Sequence, residues 1–200
     1  MTRVSGTQGY GEHAMALAER YESISFADVH AEVAHLIPPA PARIADIGAG
    51  SGRDAAALAR MGHQVIAVEP TAELRAEGQR RHDVPGLAWS DDALPGLDGL
   101  RARGERYDLI MLTAVWMHLD EDERVAGMAS LAGLLAPGGQ ILMTLRHGPV
   151  PPGRRMFDVS AAETIALAAR HGLSSHHLGT RGDMLDRGDV RWSMLGLRWS

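Results

Sequence analysis

Apolar runs of five to seven residues alternate with stretches of helical period along most of this chain, and each change is marked by glycine, proline or a short polar break. Arg43 to Ile47 reads as a first strand, and a helical pattern from Asp54 through Ala55, Leu58 and Met61 follows after a single tight turn. Gln64 to Val68 is β-branched and shows no alternation, as expected of a parallel strand buried on both faces. A mostly polar helix from Ala72 to Arg81 leads to a third short strand, Gly86 to Ser90, and Arg106 to Leu112 is the fourth. Acids at 120–123 open a helix through Val125, Met128, Leu131 and Leu135, which Pro137-Gly138-Gly139 ends before a fifth strand, Gln140 to Leu145. Ser160 and Glu163 form a capping box on a last helix that ends near Gly172.

The two ends of the chain depart from this rhythm. Residues 1–11 are polar and glycine-rich and are expected to fray. Two helices precede the first strand, one from Glu12 to Tyr21 and one from Asp28 through Val33 to Leu36, stopped by Pro38 and Pro39. At the other end, Leu173 to Thr180 and Val190 to Trp199 are strands joined by a turn-rich link. So short a link forces them to pair antiparallel, since a parallel return needs a crossover of a dozen residues or more. The pattern predicts an α/β fold: a doubly wound, mostly parallel sheet with helices on both faces, closed by an antiparallel C-terminal hairpin.

Composition narrows the chemistry. The 200 residues suit one domain, expected to divide into an N-terminal helical cover at 1–40, a core at 41–145 and a closing segment at 146–200. With no cysteine there are no disulfides, thiolate metal sites or cysteine nucleophile. Twenty-five acidic against twenty basic residues give a net charge of -5, which argues against a nucleic-acid partner and for a small molecule. No apolar run approaches the ~20 residues of a membrane span, and the first twenty residues lack a signal core. A cytoplasmic protein without a membrane partner is expected. No metal-ligand spacing is seen; His176-His177 would alternate faces on a strand.

The chemistry concentrates in the first strand and its turn, Asp46-Ile47-Gly48-Ala49-Gly50-Ser51-Gly52-Arg53. Glycines at 48, 50 and 52 allow a backbone to approach a nucleoside-like ligand closely. The dinucleotide fingerprint Gly-x-Gly-x-x-Gly would need glycine where Arg53 stands. Asp46, two residues before the first glycine, repels phosphate and suits a cation. Glu69 ends the second strand, seventeen residues after Gly52, where a carboxylate can accept both hydroxyls of a ribose.

The glycine turn with Asp46 resembles motif I of the class I S-adenosylmethionine-dependent methyltransferases, and Glu69, Asp92-Ala93-Leu94-Pro95 and Leu135-Ala136-Pro137-Gly138-Gly139 follow in the order that family shows. The resemblance implies a seven-stranded sheet, S-adenosyl-L-methionine as cofactor, S-adenosyl-L-homocysteine as product, and direct in-line transfer of a methyl group. It implies a cofactor site of Tyr21, Asp46, Gly48, Ala49, Gly50, Arg53, Glu69, Pro70, Asp91, Asp92, Ala93 and Thr113. Tyr21 would cover the pocket, or would anchor its helix on the sheet edge; of the adjacent acids, Asp92 matches the adenine-binding position better than Asp91. Residues 113–119 leave the fourth strand where the methyl group points, so Trp116 is a candidate substrate wall and His118 a candidate general base, although a histidine there also serves as a packing anchor.

Arg146 and His147 leave the fifth strand and are candidates for an acceptor carboxylate or phosphate. Arg154 and Arg155 read as solvated surface charges. The Asn/Asp-Pro-Pro-Tyr run of family members that methylate amides and bases is absent, which argues against a nucleic-acid amino group as acceptor; with the net charge, a small-molecule acceptor is expected. Two other functions share these signals: an NAD(P)-dependent oxidoreductase, and a cofactor-binding regulatory or scaffold protein without turnover.

Overall fold

The computed structural model describes residue 7, residues 10–185 and residues 187–200. Most of the polar start expected to fray, and Asp186 in the last link, lie outside those residues. Seven strands form one sheet: β1 (Arg43–Ile47), β2 (Gln64–Val68), β3 (Leu87–Ser90), β4 (Tyr107–Leu112), β5 (Leu135–His147), β6 (Leu173–Gly182) and β7 (Arg191–Trp199). Their order is β3-β2-β1-β4-β5-β7-β6. The pairs among β1 to β5 are parallel, and β7 runs antiparallel to both β5 and β6. β6 is therefore parallel to β5 with one slot left between them, and the short link folds β7 back into it.

The helices are α1 (Ala14–Glu22), α2 (Phe26–His30), α3 (Arg53–Arg60), α4 (Ala72–Arg81), α5 (Asp98–Ala102), α6 (Glu121–Leu134) and α7 (Ala161–Ala169). Alternate residues of each central strand supply opposite faces. Ala45, Ile66, Ile110 and Ile141 pack with Met128 and Leu131 of α6 and Leu167 of α7. Ile44, Val65, Leu109 and Met111 pack with Leu58 of α3 and Phe26 of α2. Burial on both faces explains why β2 from Val65 and β4 from Leu109 read as unbroken apolar runs.

Three elements differ from the sequence reading. The second N-terminal helix starts earlier and stops sooner: the Ser25 hydroxyl caps it by accepting from the Asp28 N–H at 3.1 Å, and it ends at His30. A separate 3₁₀ turn follows at Ala34–Leu36, and the bend between them carries Val33 into the core under β1. α5 had no periodicity to reveal it; Asp92 holds it by accepting the Leu100 N–H at 2.8 Å, while Leu97 and Leu100 are fully buried. β5 begins at Leu135 and runs through the Pro-Gly-Gly segment, with a shift of register between Tyr107 and Leu109 of β4. Among the described residues no helix is long and apolar enough to cross a membrane.

Candidate active site

Loops from the carboxyl ends of the parallel strands converge on a cavity of about 460 Å³, covered by the segment from Tyr10 to Ile24. It opens beside β1 and β4, where the chain order along the sheet reverses, the usual ligand position in open α/β sheets. The β1–α3 turn forms its floor. The N–H groups of Gly48 and Ala49 both donate to the Val68 carbonyl, at 2.8 and 3.0 Å, which curls the turn over the end of β2. This curl needs positive φ at Gly48 (71°) and Gly50 (58°). A β-carbon on Gly48 would stand 2.5 Å from a Val115 methyl, and one on Gly50 would meet the Tyr21 ring at 3.4 Å. Tyr21 thus lies over Gly50 as a cover. Gly52 plays a different part: it packs against Trp89 outside the cavity.

Three acids line the same half. Glu69 is buried, and its Oε2 and Oε1 accept the N–H groups of Gly50 and Thr71 at 2.9 and 2.8 Å. Burial raises its carboxyl above the ordinary value against the pull of those bonds. Asp92 accepts from the Ala93 and Leu100 N–H groups at 2.9 and 2.8 Å, and lines the cavity with Ala93. Asp46 is 2% exposed and its Oδ2 has no hydrogen-bond partner. Burial, and then the Asp54 charge, push its carboxyl well above the usual range.

Asp54, the second residue of α3, explains where that charge is held. It accepts from Arg53 Nε at 2.6 Å and from Thr113 Oγ1 at 2.8 Å, and it bonds His30 Nε2 at 2.8 Å. Burial alone would raise its carboxyl, but the charges and hydrogen bonds of His30 and Arg53 hold it well below the usual range. Arg53 also donates to the Tyr21 carbonyl at 3.0 Å, tying the cover to the turn.

At the far end, a 3₁₀ turn over Trp116–His118 follows β4. His118 Nδ1 lies 2.8 Å from the Arg155 carbonyl, so it carries the hydrogen and Nε2 is left as acceptor. The Tyr10 hydroxyl is 3.2 Å from Nε2. Burial lowers this imidazole below the usual 6.5, and the charges of Arg154, Arg155 and Arg146 lower it further. Arg155 departs from the expectation of a solvated charge: it clamps Asp120 and Glu123 at the α6 cap, each at 2.7 Å.

Of the residues expected at the site, Tyr21, Asp46, Gly48, Ala49, Gly50, Arg53, Glu69, Pro70, Asp92, Ala93, Thr113, His118 and Arg146 line this one cavity. Three do not. Trp116 is fully buried in the core against Gly127 and forms no wall of the cavity, because the turn after β4 rotates it under the sheet end. His147 follows Arg146 on β5 and faces the other way, bonding Ser193 at 2.8 Å. Asp91 faces solvent with a side chain 70% exposed and pairs with Arg75 at 3.0 Å. Tyr10, Asp54, Arg181 and Trp192 also line the cavity and were not anticipated; Arg154, expected as a solvated charge, lines it too and stacks 3.8 Å over the Tyr10 ring.

The family model described as a methyltransferase domain matches residues 44–139, from β1 to the start of β5. Over that segment the chain is similar to methyltransferase domains. The ubiquinone biosynthesis O-methyltransferase of Xanthomonas axonopodis pv. citri (strain 306) is 29% identical over 142 residues, covering 70% of this chain and 56% of that protein. The match thus spans little more than half of this curated relative. The magnesium protoporphyrin IX methyltransferase of Synechocystis PCC 6803, crystallised with S-adenosylmethionine, shares the fold with a TM-score of 0.67 and 16% identity, over 100% of this chain and 86% of that one. A Burkholderia thailandensis 1,6-didemethyltoxoflavin-N1-methyltransferase gives a TM-score of 0.64 and 21% identity, over 94% and 89% of the two chains.

The family's cofactor is a nucleoside with positive charge and no phosphate. The residues present fit it: the unpaired Oδ2 of Asp46 is a buried acceptor in search of a cationic donor, and Glu69 and Asp92 each retain lone pairs on the same cavity. A pyrophosphate against these three acids would be repelled.

Proposed function

We propose that this chain transfers a methyl group from S-adenosylmethionine to a small-molecule acceptor, in the cytoplasm. The observation that carries the reading is the buried Asp46 carboxylate, whose Oδ2 has no partner, beside a glycine turn whose neighbouring strand ends also carry acids. In this reading residues 41–145 hold the cofactor, 1–40 cover it, and 146–200 complete the acceptor side. Asp46 takes the ammonium end, Glu69 the ribose hydroxyls, and Asp92 with Ala93 the adenine edge; Gly48, Ala49 and Gly50 let the backbone come close, and Pro70 and Thr113 flank them. The cofactor, when bound, supplies an electrophilic methyl group.

The protein's part is to bind, orient and exclude water. Holding two reactants in line contributes about 7–11 kcal/mol to lowering a barrier. Tyr21 and Tyr10 close the cavity from above. Where the acceptor must lose a proton, His118 Nε2 takes it through the Tyr10 hydroxyl, and the Arg155 carbonyl holds the ring in the required tautomer. Calorimetry and thermal unfolding with S-adenosylhomocysteine and with NADH test the reading. Binding and a raised Tm with the first compound alone are expected, whereas stabilisation by NADH alone selects an oxidoreductase. Binding with no labelled methyl transferred to any of a broad acceptor panel would favour a regulatory or scaffold protein.

A further inference from the structure

Arg146 on β5, Trp192 on β7 and Arg181 on β6 occupy one row of the sheet, since Trp192 is the register partner of both arginines. Directly paired residues on neighbouring strands share a face, so an indole is flanked by two guanidinium groups. All three side chains line the cavity, at the end away from Asp46 and Glu69. The Arg181 guanidinium lies 5.7 Å from the centre of the Trp192 ring.

Neither arginine has a carboxylate partner among the described residues. Arg146 is 7% exposed; it donates to the carbonyls of Gly148 and Pro149, and its Nε has no partner. Arg181 donates only to the Gly182 carbonyl, and its Nε is likewise buried without one. The acid that both sense, Asp183, is already taken. It accepts from the N–H groups of Leu185 and Arg187, from Nε and Nη2 of Arg187, and from the Trp192 indole. Glu32, whose charge also reaches Arg181, pairs with His177 at 3.4 Å. A buried guanidinium without a counter-charge is costly unless something supplies one.

The geometry points to an oxyanion-binding end: we infer that the acceptor carries a carboxylate or phosphate held by Arg146 and Arg181, with an apolar body against Trp192 and its neighbours Met117 and Met156. Two forks on opposite sides of one indole suit a planar or tetrahedral oxyanion better than a neutral hydroxyl. This deepens the methyl-transfer reading and rests on it only in calling the anion an acceptor.

Benzoate, phenyl phosphate and neutral benzyl alcohol are titrated by calorimetry into the protein with and without S-adenosylhomocysteine, and into the Arg146→Gln and Arg181→Gln variants. One or both anions should bind at least tenfold more tightly than benzyl alcohol, and which anion does so separates carboxylate from phosphate. Each variant should weaken the anion tenfold or more and S-adenosylhomocysteine less than threefold; because Arg181 is only partly buried, its variant tests the site even if Arg146→Gln fails to fold. Anions that bind no better than benzyl alcohol, or equal anion affinity in wild type and Arg181→Gln, overturn the proposal. So does a parallel loss of both ligands. Failure of S-adenosylhomocysteine to bind, with anion binding intact, would overturn the cofactor assignment and leave the oxyanion site standing.

Discussion

Replacing Asp46 by Asn should make the protein more stable and a poorer binder at once. Asn preserves the shape and can still accept from the Ala55 N–H, but it removes a buried charge that Asp54 repels and that leaves Oδ2 unpaired. Each unit by which the fold raises a carboxyl's pKa is about 1.4 kcal/mol of penalty on its charged form, and in a domain of this size each kcal/mol moves Tm by roughly 2–4 °C. Asp46→Asn, which removes the charge and keeps the shape, should therefore raise Tm by roughly 3–6 °C for each such unit once Asp46 is ionised. The sign with pH follows from linkage. Because the folded Asp46 pKa is raised, the folded chain keeps a proton that the unfolded chain has lost, so stability falls as pH rises from the ordinary carboxylate range through the raised value. The gain from Asn should thus be absent in acid, grow across that window and then level off.

Binding moves the other way. Loss of a charge-assisted hydrogen bond worth about 1.5–3 kcal/mol weakens S-adenosylhomocysteine roughly ten- to hundredfold, at about 1.4 kcal/mol per decade. Thermal melts from acid to neutral pH, with calorimetry on the same samples, read both halves. A destabilised variant, or one that binds S-adenosylhomocysteine within threefold of wild type, refutes the assignment of Asp46 as the cation's partner.

Gly48→Ala should cost at least about 1–2 kcal/mol from the left-handed backbone alone, more with the Val115 contact, and should lower Tm and S-adenosylhomocysteine affinity together. Trp116→Ala should cost about 3–5 kcal/mol in urea unfolding with little change in S-adenosylhomocysteine affinity, whereas a selective loss of binding would return Trp116 to the cavity wall. Once an acceptor is found, kcat/KM should stay level through neutral pH and fall only below pH 6.5, where the lowered His118 imidazole becomes protonated. His118→Asn should reduce kcat by about 10²–10⁴ without altering cofactor affinity, and an acid limb above pH 6.5 would assign the proton to another group.

Much of the acid-lined half of the cavity was legible because its signals are local. The glycines of the first turn, an acid at a strand's carboxyl end and a proline after a helix are written next to the structure they cause, so Asp46, Gly48, Gly50 and Glu69 were placed on the cavity by spacing, and Asp92 by the resemblance. The acceptor half depends on turns that the sequence does not mark. Ala114 takes φ of 61° with its N–H donated to Thr144 Oγ1 at 2.8 Å, and that unforeseeable kink sends Trp116 into the core and His118 to the cavity. Asp54 looked like an ordinary first-turn acid, since its partners His30 and Thr113 stand 24 and 59 residues away. Arg181 and Trp192 meet Arg146 only because β7 is inserted between β5 and β6, and no periodicity encodes strand order.

That strand order also sorts the charges. β1, β2 and β3 end in Asp46, Glu69 and Asp92, on one side of the switch point; β5 and β6 end in Arg146 and Arg181, on the other. Between them β4 delivers His118, whose charge burial and then the surrounding arginines suppress. A chain with a net charge of -5 thus gathers Arg146 and Arg181 at one end of a cavity whose other end holds Asp46, Glu69 and Asp92, with Arg53 paired to Asp54 and Asp183 to Arg187 locally. The bulk composition conceals this local cationic cluster. In a buried site of low effective dielectric, such separation orients ligands by charge before close contacts form. In the proposed reading, that separation favours a cationic nucleoside at the acid end and an oxyanion at the arginine end.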